Sequence, residues 1–396
     1  MHRKKQHDQE KNEEIFMVFV YEPYFEKAVE LYRELHQVPG VGYDLDETLK
    51  IVKRELDAAH IPYTEKYGRS SVVAEIGSGE RILALRADMD ALPILEQSGL
   101  PFASKFPGKM HACGHDSHTA VLLSVAKYLK EHEGDLQCRV RLVFQPSEET
   151  TESGGRMMVE NGVMDGVDRI ICSHCDNSID SGKIGVCEGD YLAACVPLRV
   201  KFFGKSAHAA LPHEGINAIA MAATAYHRFE QAVTELAGDL RYIWSVGKFA
   251  GGKAHNIISD FCEMEISFRF FDMDFAARVK TAVFDICKEI ENSFGGRIEI
   301  DWDMVAGPVH NDKDVVKDVM AAIADSDVEV LKVSQRMTSE DFGWYITKTK
   351  GMLFRCGTRN EAKGCTSLVH CSDFKIDENG MKSALQVFIS CAMNFR

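Results

Sequence analysis

The chain has 396 residues, 45% of them hydrophobic and 27% charged, with a formal net charge of −14. Its length exceeds one simple core and predicts two domains, or one domain carrying an insertion. The acidic balance excludes nucleic acid and anionic membrane as expected partners, because both would be repelled by the average surface.

The N-terminal stretch "MHRKKQHDQEKNEEIFMVFVYEP" holds an apolar run, Ile15 to Tyr21, too short to span a bilayer. No small-residue cleavage site follows it, so residues 1–20 read as a frayed polar leader. Next, "YFEKAVELYRELHQVPG" and "DETLKIVKRELDAAH" carry apolar residues at helical spacing and predict two amphipathic helices. "SVVAEIG" and "RILALRA" read as strands split by a Gly-Ser-Gly-Glu turn. A helix over about 117–131, the strand "CRVRLVFQ", a helix near 155–161 and the strand "DRIICSH" continue the alternation. Strands alternating with helices imply a largely parallel sheet with helices on its faces.

After Gly189 the texture changes. The strand "CVPLRVKFFG", a helix over about 217–236, the strands "YIWSVGKF" and "FCEMEISFRFF", a helix near 276–293 and the strand "RIEIDW" follow. That order is the pattern of a small ferredoxin-like α+β layer. From Val305 onward, "KDVVKDVMAAIA", "EVLKV", "EDFGWYI" and "GMLFRC" alternate helix and strand again. The economical reading is an α/β domain, residues 1–190 and 306–396, interrupted by an α+β insertion over 191–305. The 12 cysteines are scattered, often within apolar runs, which suits buried reduced thiols and a cytoplasmic protein.

The stretch "MHACGHDSHTA", residues 110–120, crowds a thiol, three imidazoles and a carboxylate together. Other polar groups stand at predicted strand ends: Asp88 and Asp90 in "ALRADMDALP", Glu148 and Glu149 in "VFQPSEETT", and His174 in "IICSHCD". His370 in "SLVHCSDF" lies near the C-terminus. In parallel α/β sheets the C-terminal strand ends line the ligand crevice, so these loops can meet. Cys113, His115, Glu149, His174 and His370 form a donor set suited to two divalent metals sharing a bridging water or hydroxide. Glu148 would then stay free as a base. Against this stand ordinary solvated residues and, for Cys172 and Cys175 in "CSHC", a redox pair. "GKFAGGKA", Gly247 to Ala254, matches part of a phosphate-binding loop but lacks the Ser or Thr for magnesium and a following helix.

"LRADMDALP", "MHACGHDSHTA", "FQPSEE", "GKSAHAALPH", "GGKAHNIISD" and "HCSDF" together resemble the M20 metallopeptidase family, in the family's order, from about Tyr24 onward. The resemblance is to its subfamily D, which includes hippurate hydrolases, auxin-conjugate hydrolases, diaminopimelate deacetylases and aminoacylases. It implies a catalytic α/β domain with two metals (Zn or Mn, with Co or Ni able to substitute) and an inserted lid or dimerisation domain. It assigns Cys113, His115, Glu149, His174 and His370 as ligands, Glu148 as general base and Asp90 as the acid orienting the site. Asp88 stands where other branches place a metal-binding His, and Cys113 where they place a bridging Asp. In the insertion, His208 matches an oxyanion-stabilising residue, His213 is a weaker counterpart, and Asn256 and Arg269 match substrate-binding residues. The implied activity is hydrolysis of N-acyl amino acids, hippurate-like or acetylated, by a cytoplasmic homodimer. A dipeptidase or carboxypeptidase on the same site is the alternative, and a catalytically silent metal-binding relative a further one. Two departures, Ser147 in "FQPSEE" and the missing prolines of "SHCDNSIDSGKIG", both flank the expected metal site.

Overall fold

The structure, a computed structural model, describes residues 21–396, so the leader expected over 1–20 lies outside the described residues. Two helices open the fold, α1 (Glu22–His36) and α2 (Asp46–Ala58), followed by strands β1 (Tyr63–Thr64), β2 (Val72–Ile76) and β3 (Ile82–Asp88). Helix α3 (His115–Glu131) leads to β4 (Arg139–Gln145), α4 (Gly154–Glu160), β5 (Arg169–Asp180), β6 (Lys183–Val186) and β7 (Gly189–Leu192). The second unit comprises β8 (Ala194–Phe203), β9 (Ala207–His208), α5 (Ala218–Ala237), β10 (Tyr242–Gly251), β11 (Ile257–Ile258), β12 (Phe261–Phe270), α6 (Met273–Phe294) and β13 (Arg297–Asp301). The chain then returns through β14 (Val309–Asn311), α7 (Lys313–Ala322), β15 (Glu329–Lys332), β16 (Lys350–Arg359) and α8 (Gly380–Asn394).

The main sheet has the order β1-β2-β4-β3-β5-β16-β6-β15. Its centre, β4-β3-β5-β16, is parallel, and antiparallel pairings lie on either side. Strand β3 is buried at every position, as a central parallel strand covered on both faces must be. The strands β2 and β3 do not pair across the Gly-Ser-Gly-Glu segment, because β4 lies between them. On α1 the buried Tyr24, Ala28, Leu31, Tyr32 and Leu35 recur at helical spacing and pack on the main core. Helix α8 escapes a periodicity reading because nearly its whole circumference is buried.

The second sheet, β10-β12-β8-β13, is antiparallel throughout. With its two helices on one face it gives the expected ferredoxin-like order, packed around a separate core. Strand β12 alternates strictly, with Cys262, Met264, Ile266, Phe268 and Phe270 turned inward. Asn217 and Asp272 accept backbone N–H bonds at the starts of α5 and α6 and fix where those helices begin. "GKFAGGKA" falls on and just after the edge strand β10, where no helix N-terminus is available to hold a phosphate. "EDFGWYI" forms a 3-10 turn rather than a regular helix or strand. No described helix is long and apolar enough to cross a membrane.

Near the end of α1, His36 is buried between two acids, with Nδ1 2.6 Å from Asp116 Oδ2 and Nε2 3.1 Å from Glu96 Oε1. Burial alone would lower its pKa, but Asp116 and Glu96 outweigh burial and raise it to about 9. A histidine raised above its unfolded value stabilises the fold fully below about pH 6.5 and loses that contribution as pH rises through about 9. Unfolding free energy should therefore fall by on the order of 3 kcal/mol between those values. The alkaline loss should flatten in His36→Gln when denaturant midpoints are followed against pH; an unchanged slope would contradict the pairing.

Candidate metal centre

The parallel centre of the main sheet brings several loops to one end. Strand β3 finishes at Asp88 and runs on to Asp90, and β4 finishes at Gln145 just before Ser147, Glu148 and Glu149. His174 lies within β5 rather than after it: the β3–β5 pairing stops at Cys172, while β5 keeps pairing with β16 well beyond. The opening at the end of β3 therefore exposes one edge of β5 where His174 stands. Helix α3 starts at His115, two residues earlier than its periodicity suggests, so Cys113 and His115 flank its left-handed cap, Gly114.

These side chains converge. Cys113, His115 and His174 present donor atoms that lie within 4.8 Å of one another, and so do Cys113, Glu149 and His370. The two trios share Cys113, and a further trio joins His115 to Glu148 and Glu149. Cys113 Sγ is 3.4 Å from His174 Nε2, and His370 Nε2 is 3.0 Å from Glu149 Oε1. His115 is fully buried, yet neither ring nitrogen makes a hydrogen bond. Its Nε2 instead faces Asp88, Glu148 and Glu149 oxygens at 3.8–3.9 Å. Buried imidazole nitrogens without partners, ringed by carboxylates and a thiol, fit a divalent cation.

The electrostatics agree with that fit. Burial opposes charge on His115, but Asp88, Asp90 and Glu149 overcome it and lift its pKa to about 10. Burial pushes the Cys113 thiol well up, and Glu149 and Glu148 push it further, whereas a coordinated cation would draw off its proton. His174 turns Nδ1 to the Cys175 carbonyl at 2.8 Å, which leaves Nε2 to face the site.

Backbone strain and buried acids aim the donor side chains. Two of the four non-glycine residues with positive φ among the described residues are Ser147 (54°) and His370 (68°). Such conformations cost about 1 kcal/mol or more and persist where the surroundings enforce them. Ser147 Oγ bonds Thr150 Oγ1 and the Glu152 carbonyl, and the His370 N–H donates to the Ala112 carbonyl at 2.7 Å. Asp90 accepts the N–H groups of Glu148 and Glu149 through its two oxygens, at 2.9 and 3.1 Å, and lies 3.4 Å from His115 Nδ1. It anchors Glu148, Glu149 and His115 at once.

Asp88 is joined to His118 Nδ1 at 2.6 Å and to Arg86 Nη1 at 2.6 Å. His118 Nε2 accepts the Cys175 N–H, so both its nitrogens are engaged by protein. Arg86, wholly buried, also binds Gln145, Glu340 and Asp341. Neither Arg86 nor the Glu340–Asp341 pair figured among the sequence candidates. The available signal was an arginine inside the apolar run "ILALRAD", where a buried charge must find partners. Cys172 and Cys175 are free and point to opposite faces of β5, toward Arg86 and the Cys113 carbonyl, which removes the redox-pair reading.

The insertion residues stand apart from this cluster. His208 and Asn256 are exposed, and no hydrogen bond or ion pair joins either to it among the described residues. His208 accepts from the Ala210 N–H, and the Asn256 carbonyl accepts from Ala209. Arg269, half-buried on β12, donates through Nη1 to the Met337 carbonyl and Ser339 Oγ, and through Nε to Ser267. It braces the second sheet against the segment leading to Glu340.

Residues 84–394 match the sequence pattern of peptidase family M20/M25/M40. An N-acetyl-L-cysteine deacetylase of Bacillus subtilis is 35% identical over 355 residues, 89% of this chain and 84% of the relative. Thermostable carboxypeptidase 2 of Saccharolobus solfataricus is 32% identical over 372 residues, 93% of this chain and 95% of the relative. A solved Bacillus subtilis structure, described as a dinuclear metal binding peptidase from the M20 family, shares 30% identity at a TM-score of 0.80 and covers 94% of this chain and 98% of its own. The chain belongs to peptidase family M20/M25/M40.

Gly114 tests the geometry directly. Its φ is 81°, and a Cβ there would come within 2.3 Å of Cys175 Sγ, whereas a Cβ at Gly99 (φ 71°) would meet nothing within 4 Å. Gly99→Ala should cost about 1 kcal/mol of unfolding free energy from strain alone. Gly114→Ala should cost at least about 2 kcal/mol and lower the metal content as well. Equal effects of the two in denaturation and metal analysis would contradict the packing described.

Proposed function

We propose that this chain is a two-metal amidohydrolase that cleaves N-acyl amino acids, with Glu148 as the proton-transferring group. The observation that carries the reading is the placement of Glu148 beside a complete donor set of Cys113, His115, Glu149, His174 and His370. Two divalent ions held by the trios that share Cys113 would supply Lewis acidity, polarising the substrate carbonyl and lowering the pKa of water. Zn or Mn suits the set, with Co or Ni able to substitute, and the thiolate favours the softer end.

Glu148 and Glu149 divide the work because their surroundings differ. Burial raises both, and at Glu148 the neighbouring Glu340, Glu149 and Asp341 raise it further, well above the usual carboxylate range. At Glu149 the His370, His115 and Cys113 contacts outweigh burial and lower it. The higher group takes a proton from the attacking water and delivers it to the nitrogen of the breaking C–N bond, releasing a carboxylic acid and a free amino acid. The lower group stays an anion and serves as a ligand. Asp90 holds both glutamate backbones in register for this exchange.

Residues 191–305 are assigned to the lid or dimerisation domain, from which His208 would meet the oxyanion on closure, with Asn256 beside it. Arg269 would hold the free carboxylate of the amino acid, for which Nη2 remains uncommitted to protein among the described residues. A homodimer through this domain is supported by the exposed Ile243 and Phe249 on the edge strand β10. Twelve free cysteines, eleven of them buried, support a cytoplasmic setting. The carboxypeptidase relative favours one second reading, cleavage of free peptides on the same site.

A panel of acetyl-, benzoyl- and indole-acetyl amino acids against unblocked dipeptides, with Zn²⁺ or Mn²⁺, separates the two. Blocked substrates should be cleaved and chelator should stop the reaction; cleavage of dipeptides alone would replace the proposal with the peptidase reading. Glu148→Gln should lower kcat at least about 100-fold while the bound metal stays constant. Retained turnover in that variant would remove Glu148 from its role.

A further inference from the structure

Arg86 and Arg355 both lie buried on one side of the main sheet, and their surroundings differ. Arg86 has three carboxylates within ion-pair distance: Asp88, Glu340 and Asp341. Arg355, only 7% exposed, has none among the described residues. Its nearest acid on β5, Asp176, is taken by Arg336 Nη1 at 2.7 Å and by Ser178. Arg355 Nε donates to Tyr191 Oη at 3.0 Å, and its guanidinium carbon lies 5.8 Å from the centre of the Tyr191 ring. The outer fork, Nη1 and Nη2, donates to no protein atom among the described residues.

Position gives this fork a purpose. Arg355 and His174 are register partners in the parallel pair β16–β5, so both side chains leave the same face of the sheet side by side. The guanidinium is close enough to His174 for its charge to act on the imidazole. Asp176 and Glu340 act on the guanidinium charge only from beyond ion-pair distance, and arginine's planar fork matches a carboxylate bidentately. Tyr191 fixes one edge and leaves Nη1 and Nη2 without a protein partner among the described residues.

We propose that Arg355 is a substrate-binding residue that receives a second acidic group of the substrate, beside His174 and distinct from the carboxylate assigned to Arg269. This rests on the amidohydrolase reading and narrows it to N-acyl amino acids with an additional carboxylate, on the acyl side or on the amino acid side chain. A fork held by Tyr191 loses little freedom when the acid arrives, so it discriminates strongly for its size. A neutral substrate of the same length would leave the outer fork without a carboxylate.

The test compares kcat/KM for N-succinyl-L-alanine and for N-acetyl-L-glutamate, each as a ratio to N-acetyl-L-alanine. In Arg355→Gln one ratio should fall on the order of 100-fold, and which one falls names the side that carries the acid. Arg355→Lys keeps the charge but loses the fork, and should also lower that ratio. Ratios unchanged in Arg355→Gln, or Arg355→Lys indistinguishable from wild type, would overturn the proposal, the latter by leaving only a field on His174. Glutarate binding to the metal-loaded chain, measured by calorimetry, is independent of turnover. Glutarate should bind wild type at least 10-fold more tightly than Arg355→Gln, and equal affinities would overturn the site even if no amide were cleaved.

Discussion

Arg86 is the interaction on which the site depends. A wholly buried guanidinium is tolerable only when anions surround it, and here Asp88, Glu340 and Asp341 do so. Through those bonds and the one to Gln145, a single side chain joins the end of β3, the end of β4 and the segment before the 3-10 turn. Arg269 of the second sheet grips the same segment at Met337 and Ser339. The strand that carries Asp88 toward the donors is thereby tied to the smaller sheet through only a few residues.

Around that anchor the parallel sheet does the gathering. Strands running the same way deliver Asp90, Glu148, Glu149 and His174 to one end of the sheet, and the left-handed turn at Gly114 places Cys113 and His115 opposite them. His370 arrives from the loop after β16 in a strained conformation, fixed by the Ala112 carbonyl. The result is a dense pocket of acids and imidazoles whose charge asks for cations. Neighbouring glutamates then part company: one faces acids, which raise its pKa, and the other faces imidazoles, which lower it. Their opposite tendencies come from surroundings, not from residue type.

Much of this was legible in the sequence because metal chemistry demands recognisable residues. Cys113, His115, Glu149 and His174 stand out in short polar bursts at the ends of apolar runs, and period-2 strands such as "FCEMEISFRFF" announce the second sheet. What stayed hidden is what depends on partners distant in the chain. Arg86 looks like one charge in an apolar strand until Glu340, over 250 residues away, is seen to meet it. His174 looked like a strand end because only one of its two neighbouring strands stops there. Helix α8 carries no stripe because it is buried nearly all round, and the positive φ of Ser147 has no signature in a serine. The exposed positions of His208 and Asn256 belong to an arrangement of two domains that local patterns do not encode.

The most direct measurement is the metal content of the purified chain at equilibrium, followed in Glu149→Ala and His370→Ala. Wild type should hold two divalent ions per chain, and each variant should lose at least one, since both residues belong to the trio that shares Cys113 with the other. Full occupancy in both variants, or a metal-free wild type that still hydrolyses its substrate, would contradict the two-metal site.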